Sequence, residues 1–216
     1  MLTSSTTMKI ILSCLFFIFS SAAFGEETNT AEFISWLLKP EHEMKGIPFS
    51  EVVKAATGKK IIPIDSNNET DRELILKIGA ALDEVIKRMN AAGNSAQTAT
   101  RINELSSHFE EEVKKVLNQT PGFSCDFPRT AKGKVQRSGY PDLRLEDKKS
   151  GRVIYLDPKL YAKGSRASSF RTFYYEPKID TGKINDDAHH LIVGFDHGPR
   201  ENGQWKFLNW ELVDLS

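Results

Sequence analysis

The sequence predicts an α+β fold, on three observations. Apolar residues keep helical spacing through the front half, the texture turns to short alternating strands after residue 122, and loops rich in Gly, Ser, Lys and Asp divide those strands. Helices come first and a mostly antiparallel sheet follows.

The elements follow in chain order. Residues 1–25 read as a secretory signal: Lys9 supplies a positive start, Ile10 to Phe19 form an apolar run broken only by Ser13, and Ala23-Phe24-Gly25 sets small residues at the cleavage positions. The run is shorter than the roughly 20 residues of a membrane-spanning helix. Its removal would leave residues 26–216 in a secreted or periplasmic setting, with Cys125 as their one cysteine and no intrachain disulfide. Residues 31–39 and 49–56 read as short helices, separated by Pro40 and Pro48 and closed by Gly58. Thr70-Asp71-Arg72-Glu73 has a capping-box pattern and opens a helix carrying Leu74, Ile75, Ile78, Leu82, Val85, Ile86 and Met89, ended by Gly93-Asn94. A helix over about 98–118 buries Ile102, Leu105, Phe109, Val113 and Val116 before Pro121-Gly122 stops it. Strands are expected at 141–147, 152–161, 169–176, 189–196 and 205–214. The organisation is therefore a signal over 1–25, a helical N-terminal region over 26–97 and a core over 98–216.

The 216 residues carry 29 basic and 29 acidic side chains, and 39% are hydrophobic. This excludes a disordered charged tail, a collagen-like repeat and a disulfide-stapled miniprotein. The neutral total hides a division. Residues 129–183 hold 14 basic and 6 acidic side chains, against 12 and 17 in 26–128 and 2 and 6 in 184–216. A basic stretch between acidic flanks points to a polyanion, nucleic acid above all. Lys132, Lys134, Arg137, Lys163, Arg166 and Arg171 are interleaved there with Tyr161, Phe170, Phe173 and Tyr174. The cations would neutralise backbone phosphates, and any exposed ring would stack on bases, although alternation along a strand buries one face of such aromatics.

The chemistry concentrates in Tyr140-Pro141-Asp142-Leu143-Arg144-Leu145 and Ile154-Tyr155-Leu156-Asp157-Pro158-Lys159. Strand parity sets Leu143, Leu145, Ile154 and Leu156 on a buried face, with Asp142, Asp157 and Lys159 on the other. A hairpin around Lys148-Lys149-Ser150-Gly151 pairs Leu145 with Ile154 and Leu143 with Leu156, and so sets Asp142 opposite Asp157. Like charges directly opposed repel. A divalent, oxygen-loving ion relieves that repulsion, and Mg²⁺, with Mn²⁺ as its substitute, takes one or two carboxylates together with waters and a substrate phosphate. Lys159 would support the nucleophile or hold the scissile phosphate. Pro158 has no N–H for a ladder and faces Pro141, so pairing should end at that level.

Pro141-Asp142 and Asp157-Pro158-Lys159, with a polar hairpin between them, resemble the PD and (D/E)XK elements of the PD-(D/E)XK nuclease superfamily, the restriction-endonuclease-like fold. The resemblance extends over about residues 98–216 and implies a mixed central sheet flanked by helices, here with a helical N-terminal extension. It also implies a Mg²⁺-dependent endonuclease acting on nucleic acid, DNA before RNA, with Asp142, Asp157 and Lys159 as catalytic residues. A helix before the hairpin often adds a glutamate to the metal site in that family. Here the apolar stripe leaves Glu104 and Glu111 on the wet side, while Glu110 and Glu112 flank it. Phe109-Glu110 also resembles the family's helix pattern, which makes Glu110 the expected third ligand beside Asp142 and Asp157. Lys134, Arg137, Lys163, Arg166 and Arg171 are the expected nucleic-acid contacts.

His189 and His190 are adjacent on a strand and point to opposite faces, so they are expected to be structural or substrate-facing rather than joint metal ligands. An export signal argues against an enzyme that guards its own cell's genome from the cytoplasm and for one that meets foreign or environmental nucleic acid. A competing expectation from a different class is a non-catalytic nucleic-acid-binding or interaction protein on the same scaffold.

Overall fold

The computed structural model describes residues 47–165, 175 and 181–216. The expected signal, the helix at 31–39, Arg166, Arg171, and the strand at 169–176 apart from Tyr175 lie outside the described residues. Within them run α1 (Phe49–Thr57), α2 (Glu69–Met89), α3 (Ser106–Gln119), β1 (Phe123–Asp126), β2 (Leu143–Asp147), β3 (Arg152–Ala162), β4 (His189–His197) and β5 (Phe207–Asp214). The strands form one sheet in the order β1-β2-β3-β4-β5. Every neighbouring pair is antiparallel except β3 and β4, which run parallel over Ile154–Ala162 and His189–His197. The result is a mixed α+β architecture, a five-stranded sheet flanked by helices, consistent with a restriction-endonuclease-like fold.

Helix boundaries depart from the sequence expectation where tertiary contacts intervene. The cap of α2 is Asn68 rather than Thr70, because the Asn68 side chain accepts from the Asp71 N–H while Asp71 itself turns inward. The helix expected from about residue 98 begins at Ser106. Two 3-10 turns, Ser95–Thr98 and Ile102–Leu105, precede it. The reason lies on β5's side of the molecule: Trp205 donates its indole N–H to Ala99 O at 2.9 Å and its backbone N–H to Gln97 Oε1, which holds Ala99 extended. Strand β1, only four residues long and without an alternating pattern of its own, was not expected. Asn118 on α3 fixes it by donating to Cys125 O and accepting from Cys125 N–H.

The main core lies between one face of the sheet and helices α2 and α3. Leu74, Ile78, Leu82 and Val85 from α2 and Phe109, Val113 and Leu117 from α3 meet Leu143, Leu145, Ile154, Leu156, Leu191 and Val193. Each such side chain contributes about 1.5–3 kcal/mol when fully buried. Helix α2, which falls in the region read as an N-terminal extension, thus shares its core with the sheet. Gly79 permits the close approach of β5: a Cβ there would stand 3.0 Å from the Trp210 ring, whose Nε1 donates to Asp83. On the opposite face, Val53 of α1 joins Ile61, Tyr155, Ile184 and Ala188 in a smaller apolar cluster.

Candidate active site

The hairpin takes the expected register, with Leu145 opposite Ile154 and Leu143 opposite Leu156. The ladder ends one step further, where Asp142 donates its N–H to Leu156 O at 3.2 Å. Strand β3 nevertheless continues through Pro158 to Ala162, because its other edge is paired with β4. Parity then leaves Asp142, Asp157 and Lys159 together on the face away from the main core.

Their electrostatics are unusual for a surface hairpin. The Asp157 side chain is 3% exposed and that of Asp142 15%, while Lys159 is 49% exposed and reaches in from solvent. Lys159 Nζ stands 2.5 Å from Asp157 Oδ2 and 3.8 Å from Asp142 Oδ2. The approach to Asp157 is angled outside hydrogen-bonding geometry, and this buried oxygen has no hydrogen-bond donor. Burial, then the charge of Asp157, push the Asp142 carboxyl up to about 8 against the opposing pull of Lys159. With both carboxyls ionised, one half-solvated ammonium would under-compensate the pair, so without a further cation Asp142 keeps its proton through neutral pH.

The donor set is all oxygen, and one of its oxygens is buried without a donor. That chemistry fits a hard divalent cation such as Mg²⁺. Among the described residues no three His, Cys, Asp or Glu side chains converge as a ready-made cluster. Glu110 is near enough for its charge to act on Asp142, but its carboxylate accepts from Arg137 Nη2 at 3.1 Å. It is a neighbour of the aspartate pair rather than a third oxygen beside it. The flanking candidate Glu112 turns the other way and pairs with Arg88 of α2.

Among the described residues, several cations of the basic stretch are held in ion pairs. Arg137 bridges Glu110 and Glu111 and lies over the Phe127 ring, Arg144 pairs with Asp186 and Glu146, Lys149 with Glu73, and Arg152 with the buried Asp71. The local excess of positive charge read from sequence is therefore in good part a set of ion pairs with the acidic flanks. Lys134 and Lys163 remain exposed.

Both histidines are buried and point to opposite faces. His189 Nδ1 meets Ile62 O at 2.8 Å while its Nε2 faces Arg152. His190 Nδ1 meets the Tyr140 hydroxyl at 2.7 Å, and burial pushes the imidazole down to about 4. Tyr140, directly before Pro141-Asp142, also packs edge-on against Phe49 of α1 and Tyr175. Helix α1 thus supports the back of the hairpin.

Lys183 was missed by sequence reasoning. It is 2% exposed, and burial pushes its ammonium below the ordinary lysine value against the opposing pull of Asp142, Asp157 and Glu110. An isolated lysine far along the chain from Lys159, in no motif, carried no signal.

A family described as "MjaV: Type II restriction enzyme MjaV family" matches residues 42–216. The type II restriction enzyme MjaV of Methanocaldococcus jannaschii is 38% identical over 180 residues, covering 79% of this chain and 77% of the relative. The match takes in α1 and α2, which the motif resemblance had left outside.

Proposed function

The chain belongs to the type II restriction enzyme MjaV family, and from that membership together with the aspartate site we propose that it is a divalent-metal-dependent DNA endonuclease that cleaves duplex DNA at specific sites. The observation that carries this reading is the pairing of Asp142 and Asp157 on one face, with a buried carboxylate oxygen that lacks a donor and Lys159 at its mouth. Asp142 and Asp157 would hold Mg²⁺. When bound, the ion supplies positive charge that acidifies water and offsets charge on the phosphate. Lys159, half exposed, is the residue of the three that reaches outward, and it orients the scissile phosphate or the attacking water. Asp157 is fixed by β3's parallel pairing with β4, so the site rests on a rigid strand rather than a loop.

Within this proposal Glu110 orders Arg137 beside the site, and Lys134 and Lys163 supply backbone contacts to the duplex. Export through residues 1–25 is proposed as well; that segment lies upstream of the family match. This proposal keeps the expectation that an exported enzyme meets foreign or environmental DNA rather than guarding its own cell's genome from the cytoplasm.

The test is incubation of the purified chain with plasmid DNA, single-stranded DNA and RNA, with Mg²⁺ or EDTA, beside Asp157→Ala and Lys159→Ala. Discrete duplex fragments that require Mg²⁺ and both side chains are expected. Cleavage that ignores chelation or survives either substitution overturns the proposal, and salt-sensitive binding without cleavage would assign a binding protein instead.

A further inference from the structure

Residues 129–137 hold Arg129, Lys132, Lys134 and Arg137 and no acidic side chain. Between β1 and β2 they begin as a short two-stranded ribbon rather than an open loop. Arg129 and Val135 are bridged antiparallel, Thr130 donates its N–H to Lys134 O at 2.8 Å, and Gly133 donates its own to Thr130 O at 2.8 Å to close the turn. Gly133 takes a positive φ of 77°, which a side chain would disfavour, and Arg129 Nη1 donates across the turn to Gly133 O at 3.0 Å. Every residue from Ala131 to Val135 is exposed, while Thr130 at the base is buried.

The ribbon is tied to the strand that carries Asp157. Ala131 donates its N–H to Gly182 O at 3.3 Å, and Asn185 donates Nδ2 to Arg129 O at 2.7 Å and its backbone N–H to the Tyr155 hydroxyl at 2.9 Å. Tyr155 lies two residues before Asp157 on β3, on the same face by parity. Val135 stands seven residues before Asp142 in the chain. That holds their backbones within about 25 Å, less than the roughly 34 Å of one turn of B-DNA.

Val135 is 51% exposed among these cations. A half-exposed valine on such a tip adds little to the core, and phosphates offer it no contact. The major groove does, since it admits a two-stranded ribbon and displays the C5-methyl of thymine. Adjacent side chains on a ribbon point to opposite sides, so Val135 can face the bases while Lys134 turns to a phosphate.

We propose that the 129–135 ribbon is the element with which the nuclease reads its site, entering the major groove with Val135 against a thymine methyl and Lys134 against the backbone. This rests on the reading of the chain as a site-specific DNA endonuclease. Asn185 is a positioning residue that fixes the ribbon relative to β3.

The test cuts a pool of random-sequence duplexes with the purified chain and Mg²⁺ and sequences the ends, which gives the preferred site and the discrimination at each base pair. Melting temperatures establish that each variant is folded. Val135→Ser should lose about five- to tenfold of the discrimination at a particular A·T pair, the scale of one base contact, while the other positions keep theirs. Deoxyuridine in place of that thymidine removes only the methyl. Wild type should cut this duplex about fivefold more slowly, and Val135→Ser should cut both duplexes equally. Asn185→Ala should blur the preference without touching DNA, which a residue needed for stability alone would not do; an unchanged preference there overturns its positioning role. Unchanged or uniformly weakened discrimination in folded Val135→Ser overturns the inference, as does a wild type indifferent to the missing methyl or a preferred site without thymine. Val135→Ala gives the same reading if the serine variant does not fold. A wild-type chain that cuts nothing, or cuts without preference, overturns the reading as a site-specific nuclease; a clear preference that position 135 does not alter overturns this inference alone.

Discussion

The Lys159 ammonium stands 2.5 Å from Asp157 Oδ2 while half its side chain remains in solvent. One end of the pair is therefore fixed in the sheet and the other is free to meet a substrate. Lys159→Ala should lower kcat on plasmid DNA at least about a hundredfold, the scale of a lost charge-stabilising group, while Mn²⁺ binding persists. Asp157→Asn should lose both. Single-turnover cleavage beside metal titration checks the contrast; loss of metal binding in Lys159→Ala would show the lysine to be structural.

Asp142 gives the site a pH dependence with a definite sign. Its folded value of about 8 stands above the ordinary 3.8, so the native state keeps a proton that the unfolded chain has released. The stabilisation from this group is full below about pH 4 and is lost as pH rises through about 8. Metal-free protein should lose stability across that window, while divalent binding, which needs the carboxylate, should strengthen with pH and level off above about 8. Asp142→Asn removes the repulsion, and the new amide can donate to Asp157. It should stabilise the metal-free protein at about pH 9 by roughly 1–4 kcal/mol while abolishing cleavage. Urea unfolding over pH is the measurement, and a flat profile in the wild type would contradict it.

Arg152 closes the other end of the hairpin by pairing with Asp71, a carboxylate 2% exposed at the start of α2. Arg152→Met leaves that charge buried with, among the described residues, the Asp65 N–H to meet it. A loss of about 3–5 kcal/mol is expected, the range for breaking a buried pair. Chemical denaturation should report the loss without any change in metal affinity of the folded fraction.

Lys134 and Lys163 are exposed cations of the basic stretch. If they contact the duplex backbone, each alanine substitution should weaken DNA binding by a similar factor on any sequence and reduce the salt slope by about one. Fluorescence anisotropy across salt concentrations tests this. Unchanged slopes would place the DNA elsewhere.

Much of the hairpin was legible because period-two alternation and one turn leave a single register that buries Leu143, Leu145, Ile154 and Leu156 together, and that register also fixes which face carries Asp142, Asp157 and Lys159. The burial of α2 and α3 followed from helical spacing for the same local reason. The parallel pairing of β3 with β4, the delayed start of α3 and strand β1 depend on partners distant in sequence, Trp205 and Asn118 among them, and no local pattern encodes those. The same holds for charge. Composition showed a basic stretch, but only the fold decided that Arg137, Arg144, Lys149 and Arg152 would be neutralised by Glu110, Asp186, Glu73 and Asp71, and that Lys183 would be buried. Alternation and helical periodicity are properties of neighbours along the chain, whereas charge compensation and burial are properties of neighbours in space.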